Sequence, residues 1–210
     1  MLFRSGEWPA AVTNYTIVSH LLPGDHYAYH YLGPLLLQAG DIEGYRRHCA
    51  RMLSQFGQTA DPVIAERTAK DCLILPPPEA DLASIAKLAE TAVSAGPSHK
   101  FFRPFQFVKG LAEFRQNRFA SAVEWLKPVL AQEGDVYCTV QAQMTLAMAE
   151  QQLKQPEQAR AALTKGVEIA EAGLPKLNKD SSPEDRMNDW IIAHLLMREA
   201  KTLIEQTSVR

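Results

Sequence analysis

No stretch of this 210-residue sequence approaches the roughly 20 consecutive apolar residues that a membrane-crossing helix needs, and Met1-Leu2-Phe3-Arg4-Ser5-Gly6-Glu7 lacks the basic start and apolar middle of a secretory leader. No membrane partner is expected, and the cytoplasm is the expected location. Charge of one sign is equally scarce. There are 22 basic residues against 24 acidic ones, a net charge of −2, and no block of like charges. Nucleic acid is therefore not an expected partner, because a nucleic-acid footprint needs clustered basic residues. The three cysteines, Cys49, Cys72 and Cys138, lie far apart in sequence and form no C-x-x-C pair. Neither a disulfide framework nor a zinc ribbon is indicated, and all three are expected to be small core residues. Period-two alternation of β-branched residues is missing, so no sheet is expected. Neither a G-x-S-x-G elbow nor a G-x-x-x-x-G-K-[ST] phosphate loop occurs, and no cofactor or catalytic residue is assigned.

What the chain does have is hydrophobic material, 46% of residues, arranged with helical periodicity and interrupted at regular intervals. The breaks fall at Pro23-Gly24-Asp25, Gly40-Asp41, Gly57 to Pro62, Pro76-Pro77-Pro78, Gly96-Pro97-Ser98, Gly134-Asp135 and Gly173-Leu174-Pro175. They predict about nine helices. The clearest unit runs from Phe101 to Gln132. Phe105, Val108, Leu111, Ala112 and Phe114 give one helix an apolar face; Phe119, Ala122, Val123, Leu126, Val129 and Leu130 give the next. Arg115-Gln116-Asn117-Arg118 between them is long enough only for a tight turn between antiparallel helices. The next unit repeats the plan, with Leu146, Ala147 and Ala149, a break at Lys154-Gln155-Pro156, then Ala159, Ala162, Leu163 and Val167. Ala122 and Ala159 fall 37 residues apart, each where a bulky side chain would hold two helices apart. Two fainter hairpins precede these, one on either side of Gly40-Asp41 and one on either side of the proline run.

Pro62, Pro156 and Pro183 each stand at or near a predicted first helical position, where the missing N–H is harmless, and Ser182 with Asp185 resembles a capping box. The helix after Pro183 carries Met187, Trp190, Ile191, His194, Leu195 and Leu203 on one side, as a terminal capping helix would. Residues 1–25 are left unassigned, although Trp8 to Leu22 could form one helix. Their abrupt start leads to the expectation that the chain is a piece of something longer. Residues 26–210 are expected to form an all-α solenoid of about four helical hairpins with a C-terminal cap.

The Phe101 to Gln132 unit resembles the tetratricopeptide repeat, with Gly110, Phe119 and Ala122 at the consensus glycine, aromatic and small positions; Asn117 stands where that repeat has its turn glycine. A second resemblance covers more of the chain. Gly40-Asp41-Ile42-Glu43-Gly44-Tyr45-Arg46-Arg47-His48-Cys49, Met52 to Gly57, Ala65 to Lys70 and Asp189 to His194 are similar to the C-terminal repeat region of large bacterial serine/threonine kinases and WD-repeat proteins. That resemblance implies a regulatory accessory segment, with an attached kinase or propeller domain as partner. The chain itself has no H-R-D, D-F-G or Gly-rich kinase loop.

Stacked hairpins line a concave surface with their first helices. That register puts Tyr27, His30, Arg67, Lys70, Arg103, Phe107, Gln141, Met144 and Met148 nearest the groove. Cations, aromatics and adaptable methionines together suit a protein or peptide partner with an apolar stripe and some acidic character. Rival chemistry is thinner. His26 and His30 share a helix face as metal ligands do, which would suit a metal-dependent hydrolase, but a third ligand and a base are missing nearby. His48 beside Cys49 points about 100° away from it on a helix. His194, four residues after Trp190, has a packing role as its plain reading. Glu66 with Asp71 and Glu184 with Asp185 are expected as helix-surface and helix-start charges. Pro34 is expected to kink its helix.

Overall fold

The computed structural model describes residues 8–176 and 186–205, and among them every regular element is an α-helix. There are ten: α1 (Trp8–Leu21), α2 (His26–Gln38), α3 (Ile42–Phe56), α4 (Pro62–Cys72), α5 (Glu79–Val93), α6 (Phe102–Arg115), α7 (Phe119–Ala131), α8 (Val136–Gln152), α9 (Pro156–Gly173) and α10 (Met187–Glu205). The tenth comes from the segment left unassigned above, where α1 packs on α2. Pro183, the Ser182–Asp185 box and the Glu184–Asp185 pair lie outside the described residues.

Local chemistry explains where the helices stop and start. Asp25, Asp41, Asp61 and Asp135 each accept a backbone N–H from the first turn of α2, α3, α4 and α8. Three hairpin turns place one residue in the left-handed region: Gly40 at φ 82°, Asn117 at 60° and Lys154 at 61°. Asn117 and Lys154 are 37 residues apart, the same spacing as the alanine pair. Each is followed by a backbone bond back to the preceding helix, Arg118 N to Glu113 O and Gln155 N to Glu150 O. That pattern ends a helix in a defined direction, and asparagine tolerates the conformation when glycine is absent. Inside the hairpins, Ala122 and Ala159 are fully buried. A Cβ at Gly110 would meet Leu126 at 2.7 Å, so α6 and α7 approach more closely than any side chain there would allow.

Consecutive helices pack as hairpins, α2 with α3, α4 with α5, α6 with α7 and α8 with α9. The first helices α2, α4, α6 and α8 also pack side by side. This is the α-solenoid of tetratricopeptide-like pairs, with its inner layer made by the first helix of each pair. α10 caps the last pair through α8 and α9, and it reaches further. It also packs on α2, three hairpins away, and pairs with α4 and α6 through Asp189 to Lys70 and Glu199 to Arg115. A helix that touches both ends of the inner layer lies along the concave side.

Two expectations are corrected. Met144 and Met148 are not groove residues: both are 0% exposed, and the Met144 side chain lies against Gly166 of α9. Glu66 and Asp71 are not surface charges: both are buried, enclosed by α2 and α10. α2 runs on through a buried Pro34, and Gly33 beside it faces His48 of α3. Cys72 and Cys138 are buried and Cys49 is half-buried, all three as free thiols. Although distant in sequence, Cys49 and Cys72 are neighbours in space, with the Cys72 Sγ 3.9 Å from the Cys49 carbonyl oxygen.

Candidate functional site

Where α10 leaves part of the concave side uncovered there is a cavity of about 500 Å³, bordered by the N-terminal halves of α2, α6, α8 and α10 and by α4. Seven of the nine residues assigned to the groove line it: Tyr27 and His30 from α2, Arg67 and Lys70 from α4, Arg103 and Phe107 from α6, and Gln141 from α8. Repeat register could not supply the rest of the wall. Lys100 and Phe101 come from the turn before α6, and Arg186, Asn188 and Asp189 come from the start of α10.

The floor is a set of buried polar groups that satisfy one another. His30 Nδ1 donates to the Asp71 carboxylate at 2.9 Å, while its Nε2 accepts from the Asn188 amide. Burial raises the Asp71 carboxyl, and His30 pulls it only part of the way back. Beside it, Lys70 Nζ is 3.0 Å from Glu66 Oε1, an ion pair without hydrogen-bond alignment, and donates to Asp189 Oδ1 at 3.2 Å. Burial alone would lower the Lys70 ammonium, but Asp189, Glu66 and Asp71 outweigh it and raise it well above the ordinary lysine range. Burial likewise opposes charge on Asp189. Lys70, then His30 and Arg186, win there and hold its carboxyl well below the usual range. Arg186 bridges Asp189 and Asp135, at 2.9 Å each, and Gln141 donates to the Asp189 carbonyl at 3.0 Å. These contacts fix the start of α10 against α2, α4 and α8.

The rim differs. Arg67 lies over the Tyr27 ring, 4.2 Å from its centroid, and donates to His26 Nδ1 at 3.2 Å. Burial first and the Arg67 charge second lower the His26 imidazole, which favours the neutral acceptor form. Lys100 lies 4.7 Å over the Phe101 ring. Arg103 is held by the Val129 and Asp135 carbonyls and by Thr139 Oγ1, and Gly134 lets the guanidinium lie against the chain. Among the described residues none of these three cations has a carboxylate partner, whereas Glu66, Asp135 and Asp189 on the same wall are all paired.

Both ring nitrogens of His30 are engaged, and burial pushes the Cys138 thiol up to about 12, far from a thiolate at neutral pH. His26 faces Arg67, and His30 faces Asp71 and Asn188. Among the described residues no three His, Cys, Asp or Glu side chains gather as metal ligands would. His48 donates through Nε2 to the Tyr29 carbonyl, and His194 stacks on Trp190, so neither enters the cavity. No described helix is long and apolar enough to cross a membrane.

No family model and no curated protein matches the chain. Similar solved structures include two whose titles name MamA. "MamA MSR-1 C2" aligns at TM-score 0.47 and 16% identity, over 81% of this chain and 91% of that one. "MamA AMB-1 P212121" aligns at 0.46 and 16%, over 82% and 100%. The assignment as an α-solenoid rests on the ten helices and their pairing.

Proposed function

We propose that this protein is a protein-interaction scaffold that holds a segment of another protein at the open cavity between α2, α4, α6 and α10. One observation carries the reading: a concave wall whose carboxylates are all paired keeps three cations that, among the described residues, have no carboxylate partner, beside partly exposed aromatic rings. Aromatic and arginine side chains are what protein interfaces concentrate at their anchoring points. The solenoid supplies the rigid frame that holds them. The kinase-tail resemblance adds nothing to the geometry of this site, and a regulatory role toward an attached domain stands on the sequence alone.

The test is site-specific photo-crosslinking. A photoreactive residue at position 27, on the cavity rim, is expected to trap the partner. The same residue at position 157, on the exposed side of α9, is not. Arg67→Glu should abolish the crosslink from position 27 while leaving the circular dichroism spectrum unchanged. Equal trapping from both positions would refute the proposed site.

A further inference from the structure

The cavity also restricts what a partner can insert. α10 lies along the concave side from α2 to α8, so a peptide cannot run the length of the inner layer as it would in an open solenoid. What remains, about 500 Å³, is the size of a small-ligand site, which admits a short projection and no extended strand or helix. The charge of the walls narrows the choice. Five cations and three carboxylates line the cavity, and each carboxylate is in an ion pair with Lys70 or Arg186. Among the described residues the net excess is two positive charges, and the cations without a carboxylate partner are Arg67, Lys100 and Arg103. Arg103 is fixed by three hydrogen bonds of its own and contributes mainly its field. Arg67 and Lys100 are less constrained, and each lies over an aromatic ring that is itself partly open, Tyr27 at 51% exposure and Phe101 at 38%.

Resting on the scaffold reading, we infer that the cavity is an anchor site for one acidic side chain adjacent to one aromatic side chain in the partner's segment. The carboxylate answers Arg67 and Lys100, and such charge-assisted contacts are the stronger class of hydrogen bond. The partner's ring packs on the aromatic wall, where a flat apolar group buries area and stacks against Tyr27 or Phe101. Recognition is end-on, through two neighbouring side chains, and the rest of the partner stays outside the concave side.

The probe is a tetrapeptide with blocked ends, acetyl-Gly-Asp-Phe-Gly-amide, whose only charge is the side-chain carboxylate. It is titrated into the full chain while backbone amide signals are followed by NMR. Shifts are expected around residues 27, 67 and 101, with the Asn counterpart bound about ten-fold more weakly. Arg67→Gln combined with Lys100→Gln should lose about the same factor and keep its signal dispersion, and salt should shrink the difference. Equal binding of the Asp and Asn peptides, or shifts centred elsewhere, would overturn the inference. So would binding of 3-phenylpropionate that the blocked peptide does not compete for, which would make the cavity a site for small organic acids. If no probe binds but position 27 still crosslinks to a partner, the anchor chemistry is wrong and the scaffold reading survives. If the peptide binds and no crosslink forms, the reverse holds.

Discussion

The floor and the rim of the concave cavity are built from the same residue types for opposite ends. On the floor, Lys70, Glu66, Asp71, His30 and Asn188 are buried and matched, with Asp189 nearly so. On the rim, Arg67 and Lys100 remain in contact with solvent, backed by rings instead of carboxylates. A charge placed where water is excluded must be neutralised within the fold, so the floor's polarity is spent on holding α10. A charge left at the edge retains its solvation and its capacity to meet a ligand. Residue type alone does not distinguish the two roles; position relative to α10 does.

Breaking the floor should have the largest effect. Lys70→Ala strands Glu66 without its cation, leaves Asp189 with Arg186 alone, and is expected to cost about 3 kcal/mol or more, read as a lowered urea midpoint. A loss below 1 kcal/mol would mean the floor is not the lock described here.

Acid separates the floor from its surroundings. His48 sits behind α2, held down to about 4 by burial. The native state favours its neutral form, so below the unfolded value near 6.5 the unfolded chain binds more protons and stability falls with pH. The loss is expected between about pH 6.5 and 4 and should reach about 3 kcal/mol at most. His48→Gln keeps a donor for the Tyr29 carbonyl and should flatten that window. Asp189 has the opposite phase. Its lowered carboxyl contributes stability above the unfolded value near 3.9 and loses it only in stronger acid. Urea titrations at successive pH values would resolve the two steps.

A smaller effect is expected at the far end of α10. Glu199→Ala removes the carboxylate that pairs with the buried Arg115 guanidinium and leaves Arg115 its Leu73 and Ile74 carbonyl partners. About 2 kcal/mol should be lost, with the cavity unchanged by NMR. The smallest stability effect belongs to the rim: Arg67→Ala and Lys100→Ala should each change stability by no more than about 0.5 kcal/mol while weakening partner crosslinking. Stability losses as large as those on the floor would erase the distinction between the two regions.

Hairpins were legible in the sequence because their causes are local. Helical periodicity, aspartates at helix starts and left-handed turn positions each act within a few residues, and the 37-residue spacing repeats them. The path of α10 is not local. Asn188 meets His30 across 158 residues of sequence and Asp189 meets Lys70 across 119. No periodicity records such a pairing, so repeat register puts Lys70 on the groove without showing its carboxylate partners, and puts Glu66 and Asp71 on the surface. One usable signal was present in α8. Val140, Ala142, Met144, Leu146, Ala147, Met148 and Ala149 make that helix apolar around most of its circumference, which marks a helix covered on more than one side. The rim residues Lys100 and Phe101 carried no comparable signal, since they belong to a turn.

A linear stack of repeats is stabilised by nearest neighbours, and such stacks can open from either end, one unit at a time. α10 breaks that locality by joining the first inner helix to the last. Removing an end hairpin therefore also undoes the contacts α10 makes there, so fraying from the ends carries a penalty that an open array lacks. The molecule should lose its structure in one concerted transition, like a compact single domain, despite being assembled from repeats.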